Sequence, residues 1–210
     1  MKSDVIRVTN TGVGMEAALQ TASDSAIYRG LAKKDALHLR LLAEEMLGMV
    51  RAITGETEAD FWVESTGKRF TLNLLVYPLV TKKMRRELLA ASSSGKNTAA
   101  VGFMGKLRDI FDRTLAAEEF ADPSYYYLQG LVVPPDVGID PASYAAMAGM
   151  MNWSMSQYKA TVAEESAHNA AAKVEWDELE KSVVAKIADE VKISIAGDEV
   201  KMTVYKEFHH

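Results

Sequence analysis

Apolar positions divide the chain into segments of two periods. Residues 4 to 9 (DVIRVT) are short and β-branched and predict an edge strand. The segment TGVGMEAALQTASDSAIYRGL follows. Met15, Ala18, Leu19, Ala22 and Ala26 recur at helical spacing there, and Gly30 is the stop. Residues 35 to 53 carry the strongest helical pattern. Leu39, Leu42, Met46, Met49, Val50 and Ile53 fall within about 100° of arc on a helical wheel. Two alternating runs, ADFWVES and RFTLNLLVY, flank Thr66, Gly67 and Lys68 and predict a hairpin. Phe70, Leu72, Leu74 and Val76 share one face of its second strand.

Residues 78 to 174 are less regular. KKMRRELLAA reads as a helix, SSSGKNTAA as a small-residue loop, and VGFMGKLRDIFDRTLAAEEF as an amphipathic helix. The stretch DPSYYYLQGLVVPPDVGIDP holds four of the five prolines and predicts a loop excursion. Asp140 and Pro141 then resemble an N-cap and first helical position, opening a Met- and Ala-rich helix. Regularity returns at EWDELEKSVVAKIAD, a helical pattern through Trp176, Leu179, Val183 and Ile187. In the last hairpin Val191, Ile193 and Ile195 oppose Val200, Met202 and Val204 around Gly197 and Asp198. The order of elements predicts an α+β fold, a mixed or antiparallel sheet with helices on one face. One domain is expected over 1–210, with a core at about 4–77 and 175–206 and a mainly helical lid or insertion at about 80–174.

Composition narrows the function classes. Apolar residues make up 48% and charged residues 25%, an ordinary globular balance. The formal net charge of -5 lacks the basic excess that phosphate neutralisation demands, so nucleic acid is not an expected partner. The chain has no cysteine, which removes disulfides, thiolate metal sites and cysteine nucleophiles. No run approaches the ~20 apolar residues of a membrane span. MKSDVIRVTN is not an ordinary secretory leader, so a cytoplasmic location is expected. His209 and His210 have the look of a purification-tag stump and are given no role as ligands.

Two segments carry a resemblance. RLLAEEMLGMVRAI at 40–53 and ELEKSVVAKIADEVKI near the end, set in the order β-α-α-β-β and α-β-β, resemble the histidine-kinase-like ATPase (GHKL) superfamily. The branch they are most similar to is the anti-sigma-factor serine kinases, over residues 34–77 and 175–206, about a third of the chain. In that family a helix Glu prepares the attacking group, and an Asn four residues on holds magnesium. The resemblance places Glu45 at the first position and Met49 at the second. The family's adenine-reading Asp, in Asp-x-Gly-x-Gly, should fall near Val76 to Thr81, where the chain reads VYPLVT. The resemblance thus implies ATP or ADP as cofactor, while magnesium loses a hard oxygen ligand to a thioether. It implies a bacterial regulatory protein whose partner is a protein, sigma-factor-like or antagonist-like.

Glu45 is the candidate catalytic residue. It lies at the border of the apolar face, with Leu42 three before it, Met49 four after and His38 seven before. A carboxylate half-screened from water can act as a base. A boundary carboxylate hydrogen-bonded to its surroundings explains the same position, and the residues favour that reading. Glu44 points away. The candidate phosphate-binding residues are Ser94, Gly95, Lys96 and Asn97, with Gly102 and Gly105 at the next helix start. Ala90 and Asn97 depart from a Walker A loop, and a small-residue linker accounts for the segment equally well. VGFMGKLRDIF also resembles the family's glycine-box helix, so 102–113 and 177–189 compete for that assignment. Met147, Met150, Met151 and Met155, with Trp153 and Tyr158, suit an adaptable partner surface, a self-association face or core packing. His38 and His168 lack metal-ligand spacing. Three functions follow: a regulatory partner-binding protein with a degenerate ATP site, an active serine kinase, and a structural homo-oligomer.

Overall fold

The computed structural model describes residues 1–9, 11–54, 57–78, 150–196 and 199–209. Strand β1 (Ile6–Thr9) is followed by α1 (Met15–Tyr28), α2 (Lys33–Thr54), β2 (Thr57–Thr66) and β3 (Arg69–Pro78). After the undescribed segment come β4 (Met150–Ser154), α3 (Met155–Ser166), α4 (Ala170–Lys181), α5 (Val183–Ile187), β5 (Glu190–Ala196) and β6 (Glu199–Glu207). The strands form one antiparallel sheet in the order β1-β2-β3-β6-β5-β4.

The period-2 pattern sets the register. One row of residues crosses all six strands: Ile6, Phe61, Leu74, Met202, Ile193 and Trp153 stand opposite one another in turn. Phe61 and Leu74 are fully buried, and the row belongs to a single core that includes residues of every described helix. Each such side chain contributes about 1.5–3 kcal/mol by leaving water. The adjacent row on the opposite face is polar at most positions: Arg7, Asp60, Leu75, Lys201, Ser194 and Asn152. A slip of one residue in any strand would turn its apolar set onto that polar face. The sequence therefore specifies both the pairing and the side that the helices cover.

The two terminal hairpins are halves of this one sheet, joined where β3 pairs β6 from Arg69↔Glu207 to Val76↔Val200. Val191, Ile193 and Ile195 lie opposite Val204, Met202 and Val200, as the alternation predicts. Thr66 pairs Arg69 across a two-residue loop whose Gly67 adopts φ 60°. Helix α1 ends in a glycine cap. Gly30, at φ 75°, lets its own N–H reach the Ile27 carbonyl and the Leu31 N–H reach that of Ala26. That turn delivers the chain directly into α2, which packs on α1, β3, β6 and α5.

Two segments depart from the pattern-based expectation. Residues 150–154, expected in a helical stretch, form β4 against β5. Five residues span too few periods for the sequence to announce a strand. The helix expected through 176–187 is divided at Ser182, whose side chain accepts a hydrogen bond from the Ala185 N–H and starts α5. A serine that can cap is a better helix start than a helix interior.

Candidate functional site

Helix α2 presents the residue that the family resemblance singles out. Glu45 is half-buried, between fully buried Leu42 and Met46, while Glu44 is exposed. The helix lies over β3 and β6 at the centre of the sheet and is flanked by α1 and α5. Arg40, one turn before, is fixed to Glu16 of α1 by hydrogen bonds of 3.0 Å to both carboxylate oxygens. No hydrogen-bond donor among the described residues reaches the Glu45 carboxylate. It is thus a side chain at the edge of the core on a braced helix.

Four residues on from Glu45, the sequence has Met49, and a thioether is too soft for a cation that selects oxygen. At the end of β3, where an adenine-reading carboxylate is expected, Val76 is fully buried and paired with Ala59 and Val200. No acid occurs from Val76 to Thr81. Among the described residues no group of three or more His, Asp or Glu side chains could hold a metal.

Ser94, Gly95, Lys96, Asn97, Gly102 and Gly105 all lie outside the described residues. So does the segment 102–113, one of the two competing glycine-box helices. The other, 177–189, spans the end of α4, the Ser182 break and α5, which contacts α2. Of the methionine and aromatic cluster, Met155, Trp153 and Tyr158 are buried in the core. Met147 lies outside the described residues.

Two polar arrangements escaped the sequence. The Glu190 carboxylate accepts hydrogen bonds from the Ser154 and Ser156 hydroxyls and from the Ser156 and Val191 N–H groups. It thereby caps the N-terminus of α3 from the neighbouring strand. Burial alone would raise its pKa, but these hydrogen bonds outweigh burial and hold the carboxyl below its ordinary range. Between α3 and α4, the Tyr158 hydroxyl donates to Glu175 at 3.0 Å, with both side chains buried. Burial, and then the charge and hydrogen bond of Glu175, push the phenol well above the usual tyrosine range. No sequence periodicity announces either contact, because each joins elements whose separation is set by the fold. Among the described residues no helix is long and apolar enough to cross a membrane. Comparison with protein-family models, with curated proteins and with solved structures found no match to this chain.

Proposed function

We propose that the chain is a regulatory protein related to the anti-sigma-factor kinases, acting on a protein partner through a degenerate nucleotide site in the cytoplasm. The observation that supports this reading is the spacing of Glu45 and Met49 in the sequence of helix α2. The order β1-α1-α2-β2-β3, with α5-β5-β6 at the end, supports it, and no acid occurs from Val76 to Thr81. Glu45 keeps the place of the family's base, but the ion that would organise a triphosphate has lost its partner ligand. Catalysis is the function most sensitive to that loss, because phosphoryl transfer depends on positioning and charge neutralisation by the metal. Binding of ATP or ADP, and of a sigma-factor-like or antagonist-like protein, needs less.

Thermal denaturation of the whole chain with ATP or ADP, each with and without magnesium, tests the reading. A ligand that binds only the folded state raises its apparent stability. The expected result is stabilisation by nucleotide that magnesium hardly changes, weakened in Lys96→Ala. Met49→Asn should leave that binding unchanged or make it magnesium-dependent. Magnesium-dependent ATP hydrolysis that Glu45→Gln abolishes would replace this reading with an active serine kinase. No response to either nucleotide would favour a structural homo-oligomer.

A further inference from the structure

At the N-terminal end of α2, about 15 Å along the helix from Glu45 at 1.5 Å per residue, lies a groove of about 640 Å³. That volume falls in the range of small-molecule pockets. The Gly30 cap forms one wall, because it brings Leu31 and Ala32 around into the first turn of α2. The opposite wall is the hairpin loop at Lys68 and the end of β6. These are joined by a 3.1 Å hydrogen bond from the Phe208 N–H to the Lys68 carbonyl. Phe208 is buried against Phe70, so this wall is anchored in the core.

Besides His38 and His209, the groove is lined by carboxylates and ammonium groups that divide into paired and unpaired. Lys206 is held by Asp189 at 2.9 Å, and Glu207 by Arg69 at 2.9 Å. Asp35 lines the same groove at only 6% exposure, and no donor side chain among the described residues meets its carboxylate. Lys34 and Lys68 line it as well, exposed and without an acidic partner among the described residues. A carboxylate at 6% exposure that lines a groove can accept from a cationic or N–H donor brought into it. The two ammonium groups offer the complementary contact to an anion. Leu31 and Phe208 line the groove as well.

We propose that this groove binds a small zwitterion of the amino-acid or short-peptide class. Its ammonium or amidinium group meets Asp35, and its carboxylate lies between Lys34 and Lys68. The site is separate from the nucleotide reading and shares no residue with it. It adds a small-molecule input to the same central helix. Helix α2 runs from Asp35 to Glu45 without interruption, so occupation of the groove acts on the N-terminal end of the element that carries both features.

The test uses the whole chain and a panel of the free amino acids and their dipeptides, read by thermal shift and then calorimetry. The singly charged counterparts ethylamine and acetate serve as controls. At least one zwitterion should stabilise the protein in a saturable way, and neither control should match it. Lys68→Ala, on an exposed loop, should weaken that binding roughly ten- to a hundredfold, as expected for one charge-assisted contact. Asp35→Asn should abolish it with the helical circular dichroism retained. If Asp35→Asn unfolds the chain, the Lys68→Ala titration decides alone. The proposal is overturned if no panel member shifts the protein, if ethylamine or acetate does as well, or if Lys68→Ala binds like the wild type. A purely helix-stabilising Asp35 would give that pattern.

Discussion

Gly14 has φ 76°, and a Cβ added there would collide with the Arg7 carbonyl oxygen. The turn between β1 and α1 is therefore closed on backbone, which cannot yield as a flexible side chain would. Gly30 has nearly the same φ, 75°, but open space where a Cβ would go. The pair separates conformational strain from steric collision. Gly30→Ala should cost about 1 kcal/mol, the left-handed penalty alone, whereas Gly14→Ala should cost more than about 2 kcal/mol. Urea denaturation of the two variants measures the difference, and equal losses would refute the collision. At the start of α3, Glu190 makes a second residue-scale prediction. Its carboxyl titrates lower in the folded chain than the ordinary 4.5. The folded state thus prefers the ionised form, and that stability is fully present above about pH 4.5, the unfolded value. It is lost as pH falls through the lower, folded value. Glu190→Gln should be less stable than wild type at neutral pH, and the gap should narrow on acidification below 4.5. A gap that stays constant down to pH 3 would mean that the carboxylate's charge contributes nothing.

Strand β3 is the element on which the sheet depends, since it pairs with β2 on one side and β6 on the other. Its neighbouring residues Leu74 and Leu75 have the same composition and opposite faces. Leu74 is fully buried between Phe61 and Met202, and Leu75 lies half-buried between Asp60 and Lys201. Leu74→Ala should cost about 2–5 kcal/mol through lost burial and a residual cavity, and Leu75→Ala less than about 1 kcal/mol. Thermal melts of both variants check the assignment of faces. This alternation was legible in the sequence, as were α1, α2 and the register of β5 on β6, because burial on one face imposes a period. Strand β4 was not legible, since five residues with two methionines give a period too short to read. Nor was the division at Ser182, where a local side-chain cap overrides an unbroken helical pattern. Glu45 was placed correctly at the border of the apolar face, and Glu44 outside it. The groove at Asp35 was invisible for a different reason. An acid in the first turn of a helix is routine, and only the fold shows that it lines one groove with Gly30 and Phe208.

For the molecule as a whole, the decisive feature is that residues from both ends of the chain share one sheet and one core. The strands β2 and β3 of the first half meet β6 and β5 of the second through the β3–β6 ladder, and the core runs from Val8 to Phe208. Neither half retains its burial without the other. Leu72 is covered partly by Val204, and Met202 partly by Leu74, so opening one side exposes apolar surface on both. The described elements should accordingly open as one cooperative unit. Native-state hydrogen exchange on the whole chain gives the measure. Ladder amides of β3 and β6 within the span Phe70 to Val76 and Val200 to Lys206 should exchange with one opening free energy and one denaturant dependence. Destabilisation by Leu74→Ala should lower that value equally on both strands, although the substitution lies in only one of them. If β6 keeps its protection while β3 loses it, the two hairpins are separate stability units, and the shared sheet does not couple the halves.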